Sequence, residues 1–242
     1  MMLFLIGTII LTSSEGITFS SKSIRYSADS VDERKQLWKV LMKHFDNNET
    51  AVLGLMCNIN EESNFKSYNL EDHNNIDWDI TDEDYTYKVN KGSISEKDFL
   101  EARYDGTSSG YYNSHGQWYN TNGGYGYCQY TAYEKKKALY DYATEWFSKG
   151  GEGYGLSFDI ADPKMQAHFI VHLLDNELSD IDNKLRTADS VEDAVYIWLS
   201  EYECPEGEYH SVALSRSECA EEIKEYCTSK HSNNSGGDAQ KY

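Results

Sequence analysis

The run AVLGLMCNI, residues 51–59, constrains this chain most. A helix that is apolar nearly all round must be wrapped by other elements, so the run reads as a buried helix. Val52, Leu55, Ile59 and Glu62 fall at i, i+3, i+7 and i+10, so Glu62 continues the buried stripe. Glu61 is rotated roughly 100° away. A core-facing helix thus delivers a carboxyl at its end, in the stretch NINEESNF. Burial and the negative end of the helix dipole both favour a carboxyl's protonated form. A protonated carboxyl is what a general acid needs to protonate a leaving-group oxygen. The plainer alternative is a helix that ends in solvent, with both glutamates as surface charges.

Helical patterning recurs on both sides of this run. Ser30 and Glu33 form a capping-box pattern ahead of Trp38, Leu41 and Phe45. Thr131 and Glu134 open a helix to about Phe147. Asp162 with Pro163 opens another, carrying Met165, Phe169, Leu173 and Leu174. Ser190 and Asp193 begin a third, and a last helix is expected from Ser211 to Tyr226. Residues 66–130 read differently, as turns and short strands with one helix near Glu96 to Arg103. The tail from Ser229 is low in complexity and is expected to be disordered.

Acidic residues number 41 against 22 basic ones, giving a net charge of −19. That argues against nucleic acid, which is held through basic groups on its phosphates, and against anionic lipid membranes. The apolar stretch Met1 to Leu11 is too short to span a bilayer and resembles the hydrophobic region of a signal peptide. A short anchor or a buried strand is the alternative. Five cysteines suit an exported chain. Cys219 and Cys227 lie eight apart, over two helical turns, and should not pair with each other. Cys204 bridging to Cys219 or Cys227 is one expectation, and five reduced thiols are the other.

NINEESNF followed by GGYGYCQYT resembles the leading motifs of the lysozyme-like superfamily, and most nearly the phage tail lysozyme family. The matching positions are Ala51, Gly54, Cys57, Asn58, Ile59, Glu62, Ser63 and Phe65, then Gly124, Tyr125, Gly126, Tyr127, Gln129, Tyr130 and Thr131. Gln166 to Leu178, Tyr202 to Pro205, and Arg216 with Ala220 match later segments. Cys57 stands where that family has glycine, and Tyr130 where it has tryptophan. The resemblance implies a mainly α, α+β lysozyme-like fold over residues 30–228, a helical lobe with a small strand- and loop-rich lobe and a glycan cleft between. It implies cleavage of peptidoglycan at β-1,4 glycosidic bonds without a cofactor or metal, by secretion or on a virion tail. Residues 1–14 would precede that domain as a signal-like segment and 15–29 as a linker, with 229–242 as the tail.

Under that resemblance Glu62 is the acid, and Ser63 holds the helix end or orients it. Gly124 and Gly126 admit the glycan, Gln129 binds an acetamido group or water, and Tyr125, Tyr130 and Trp118 stack on sugars. Glycosidases usually use a second carboxylate, for which Glu61, Asp105, Glu177 and Glu203 are candidates. Relatives that act as lytic transglycosylases use one. Cys128 with His115 offers a competing thiol-peptidase reading, and a glycan-binding or virion structural protein without activity is a third. His168 and His172 at i, i+4 lack the Glu of a zinc signature. The acidic run 77–84 lacks the glycine of a calcium loop and is expected to be solvated.

Overall fold

The computed structural model describes residues 30–71, 79–101, 111–112, 118–119, 123–148, 156–203 and 209–229. The N-terminal segment and linker, the tail beyond Ser229, Asp105, His115 and Cys204 fall outside them, as does the Trp118 side chain.

The chain opens with α1 (Ser30–His44) and α2 (Glu49–Ser63). Asn48 caps α2 by accepting from the Ala51 N–H, as short polar side chains do at helix starts. Asn64 and Phe65 end it with φ of 49° and 62°. Left-handed backbone is unusual for a bulky residue. Phe65 holds it because the ring is buried and lies 4.4 Å from the Arg34 guanidinium.

Next come α3 (Asp82–Asn90) and α4 (Glu96–Leu100). The strands Tyr111–Tyr112 and Trp118–Tyr119 form a short antiparallel pair. Then follow α5 (Tyr133–Ser148), α6 (Pro163–Asn176), α7 (Ser179–Arg186) and α8 (Val191–Trp198). A π-helical turn, Leu199–Glu203, extends α8. Finally come α9 (Tyr209–Ser217) and α10 (Ala220–Thr228).

The mainly helical reading holds. So do the starts expected from local chemistry: Asp162 caps α6 ahead of Pro163, and Ser190 caps α8. Three details differ. Residues Asp82–Asn90 are helical where turns were expected. The helix expected from Ser211 to Tyr226 breaks into α9 and α10 at Glu218 and Cys219. Asp82, in the acidic run expected to be solvated, is buried. It accepts from the Leu70 N–H at 3.2 Å and meets Lys66 Nζ at 3.4 Å.

The apolar run lies at the centre of the packing, with α2 against α8 and also touching α1, α9 and α10. Gly54 makes the α2–α8 approach close. A Cβ there would fall 2.3 Å from the Ala194 Cβ and 2.9 Å from its carbonyl carbon. This contact fixes the depth of α2, and therefore where its last turn delivers Glu62.

Candidate active site

Four polar side chains converge where α2, the π turn and α9 meet. Arg216, on α9, donates from Nη2 to Glu62 Oε1 at 3.0 Å. Its Nη1 reaches Glu203 Oε2 at 2.8 Å and Asn58 Oδ1 at 2.9 Å. Asn58 is one turn before Glu62 and is buried. Its amide nitrogen donates to the carbonyls of Gly54 and Val195, which leaves its oxygen to accept from the guanidinium. The α2–α8 contact therefore orients the residue that orients Arg216. Glu203 comes from the π turn, a local widening that often marks functional positions.

Two carboxyls and one guanidinium share this pocket. If both carboxyls were ionised, a half-buried cluster would carry an uncompensated negative charge. Glu203 relieves it: burial, and then the neighbouring Glu62 charge, push its carboxyl up to about 8 against the opposing pull of Arg216. The raised carboxyl that the structure shows is thus Glu203, reached through a segment whose role the α2 periodicity did not reveal. Glu203 Oε1 is buried and accepts no N–H among the described residues, and the carboxyl faces Glu62 at hydrogen-bonding range. The Glu62 side chain is 25% exposed and that of Glu203 13%. Glu62 is the member that solvent reaches. A groove of about 280 Å³ runs alongside, lined by Glu61, Ser211, Val212, Ser215 and Arg216.

Ser63 is buried, and its hydroxyl donates to the Ile59 carbonyl at 3.0 Å, holding the helix end. The glycine-rich segment serves the fold more than the surface. Glu71 Oε2 accepts from the N–H groups of Gly123 and Gly124, and the Asn69 carbonyl accepts from Gly126. Gly126, at φ 80°, leaves no room for a Cβ beside Gln166. Gln129 donates inward to the carbonyls of Asn69 and Gly126.

Tyr125 and Tyr130, expected to stack on sugars, are fully buried. Tyr125 packs on Phe99 and shares a 2.6 Å hydrogen bond with Thr86, while Tyr130 packs edge-on against Phe169. Both belong to the core because the turn folds inward to satisfy its own amides.

Of the other carboxylates, Glu61 and Glu177 are exposed. Cys128 is buried, and burial pushes its thiol up to about 12. That is the reverse of what a nucleophilic cysteine needs. His168 and His172 stack on Trp146 and Tyr142. The bridge expected from Cys204 is not formed, since Cys219 and Cys227 are both free thiols. Cys219 lies instead against Cys57, with 3.3 Å between sulfurs.

Asn58 and Arg216 were legible only as motif positions. Their roles depend on contacts 158 residues apart. No curated protein and no solved structure matches the chain. The family model for phage tail lysozyme does, over residues 32–227, a span that holds all four converging residues, and the chain belongs to that family.

Proposed function

We propose that this chain is a lysozyme-like enzyme that cleaves the β-1,4 glycosidic bonds of peptidoglycan, with the Glu62–Glu203 pair as its acid. The observation that carries this reading is a partly exposed glutamate facing a buried carboxyl that keeps its proton past neutral pH. Family membership supports the substrate class. Such a pair binds one proton jointly. Glu203 passes that proton to Glu62, which presents it to the glycosidic oxygen. Arg216 then stabilises the carboxylate left behind, so the ground state is not penalised for holding two acids together. The reading uses no metal and no cofactor. Its partner is the glycan strand outside a bacterial cell, met by a secreted chain or by one carried on a virion tail. No described helix is long and apolar enough to cross a membrane.

The spacing of the pair favours one form of the chemistry. Retaining glycosidases hold their carboxyls about 5–5.5 Å apart, and inverting ones further, to flank a sugar or a water. Carboxyls within hydrogen-bonding range leave room for neither. Glu203 is therefore a proton partner and not the nucleophile or base. A single acid site suits a lytic transglycosylase, in which a hydroxyl of the substrate itself closes an anhydro ring. Hydrolysis would draw its second carboxylate from Glu177, Asp105 or Glu61.

Product analysis on purified peptidoglycan tests both levels. Anhydro ends mean transglycosylation and reducing ends mean hydrolysis. New amino groups, or no products at all, refute the glycosidase. Glu62→Gln should lower the rate by on the order of 10²–10⁴ with the fold intact, and Glu61→Gln should be mild. The reverse order would overturn the assignment of Glu62.

A further inference from the structure

The Cys57–Cys219 contact is unused by the chemistry above. Cys57 is fully buried on α2. Cys219 is partly exposed at the break between α9 and α10, three residues after Arg216. Their sulfurs are 3.3 Å apart, about 1.2 Å beyond the roughly 2.05 Å of a disulfide. Cys219 sits between two helices and makes no side-chain cap for α10, so closing that gap breaks no capping hydrogen bond.

We propose that Cys57 and Cys219 are a disulfide-forming pair, oxidised by a low-molecular-weight disulfide into a cross-link that ties α2 to the α9–α10 junction. The two thiols are not equivalent. Cys219 Sγ also lies 3.2 Å from the Arg216 carbonyl. A thiol has one proton, so when Cys219 donates to that carbonyl, Cys57 is left to donate to Cys219. That bond lowers the Cys219 thiol below its ordinary value, while the same contact and burial push Cys57 up. Cys219 is thus both the more acidic and the more exposed sulfur, which makes it the attacking thiol.

Its thiolate attacks one sulfur of the small disulfide. That S–S bond breaks, one thiolate leaves and takes up a proton, and a mixed disulfide remains on Cys219. Cys57 then loses its proton and attacks the Cys219 sulfur, expelling the second small thiol. Two S–H bonds are lost and one S–S bond is gained in the protein, while the small disulfide is reduced to two thiols. The product closes a loop spanning 162 residues and tethers the segment carrying Arg216 beside Asn58. Nothing in this chemistry depends on which bond the enzyme cleaves.

The test uses the full chain, reduced, freed of reductant, exposed to oxidised glutathione, alkylated and mapped without reduction. The Cys57 peptide linked to the Cys219 peptide is the expected major product. Cross-linking should raise Tm by on the order of 10 °C. Cys227→Ser should behave as the wild type. Cys219→Ser should abolish both the link and the rise in Tm. If Cys57→Ala folds poorly, Cys219→Ser still decides, because its site is partly exposed. Cys219 mapped to Cys204 or Cys227, or left as a stable glutathione adduct beside a free Cys57, would overturn the proposal.

Discussion

Arg216 donates to Glu203 across 2.8 Å, and this is the shortest contact of a guanidinium that also holds Glu62 and Asn58. The planar fork explains the choice of arginine, because separate N–H groups reach three acceptors on two chain segments at once. Lysine, a single point charge on a flexible stem, cannot span them. Arg216→Ala should therefore destabilise by about 3 kcal/mol, read from urea unfolding, and abolish glycan cleavage. Arg216→Lys should recover most of the stability but little activity. Equal recovery of both would mean that Arg216 contributes charge alone.

The Glu203 carboxyl sets a pH signature with a definite sign. Its folded value is about 8 against an ordinary 4.5. Between those values the folded state binds more protons than the unfolded chain. Its contribution to stability is complete below pH 4.5 and is lost as pH rises through 8. Urea midpoints measured across that window should fall with pH, and Glu203→Gln should flatten the fall. Cleavage should also decline above about pH 8, as the pair gives up its shared proton. A wild-type rate still rising at pH 9–10, about one to two units higher, would contradict a protonated pair.

Local chemistry made much of the fold legible, and contact made the rest. Asp162 and Ser190 cap helices through atoms one turn away, so their signals sit in adjacent letters. The stripe that ends at Glu62 was readable for the same reason. The break at Cys219 carries no Pro or Gly, and the sequence pattern runs through it. Tyr125 and Tyr130 misled because a Gly- and Tyr-rich segment reads as surface. Whether it faces inward depends on Glu71 and Gln166, which take its amides from distant positions. The raised carboxyl at Glu203 depends on burial and on the Glu62 charge from α2, opposed by Arg216 from α9, and neither partner is visible in the neighbouring residues.

Gly54 is a position where one methyl group should matter. A Cβ there would meet the Ala194 side chain at 2.3 Å and backbone at 2.9–3.0 Å, so α2 and α8 must separate. Gly54→Ala should cost about 3 kcal/mol and weaken cleavage, since Asn58 takes its orientation from the Val195 carbonyl. Adding Ala194→Gly should restore part of the loss but not all, because the backbone contacts remain. No rescue in thermal unfolding would place the strain elsewhere.

Lys136 gives the opposite slope to Glu203, and the two can be separated. Its side chain is buried on α5, and Nζ donates to the Gly123 carbonyl at 3.4 Å. Glu71 holds the N–H groups of the same turn. Burial lowers the Lys136 ammonium to about 7, although the Glu71 charge opposes it. Between pH 7 and the ordinary 10.5 the unfolded chain binds the extra proton, so stability from this group rises with pH. Lys136→Met removes the titration while keeping most of the apolar stem. The variant should lose the rise between pH 7 and 9.5 that the wild type shows relative to it. Glu203→Gln in the same background isolates the falling limb, because the two groups sit in different clusters and their effects should add. If Lys136→Met leaves the difference curve flat, the lysine is solvated as pH changes, and the glycine turn opens enough to admit water.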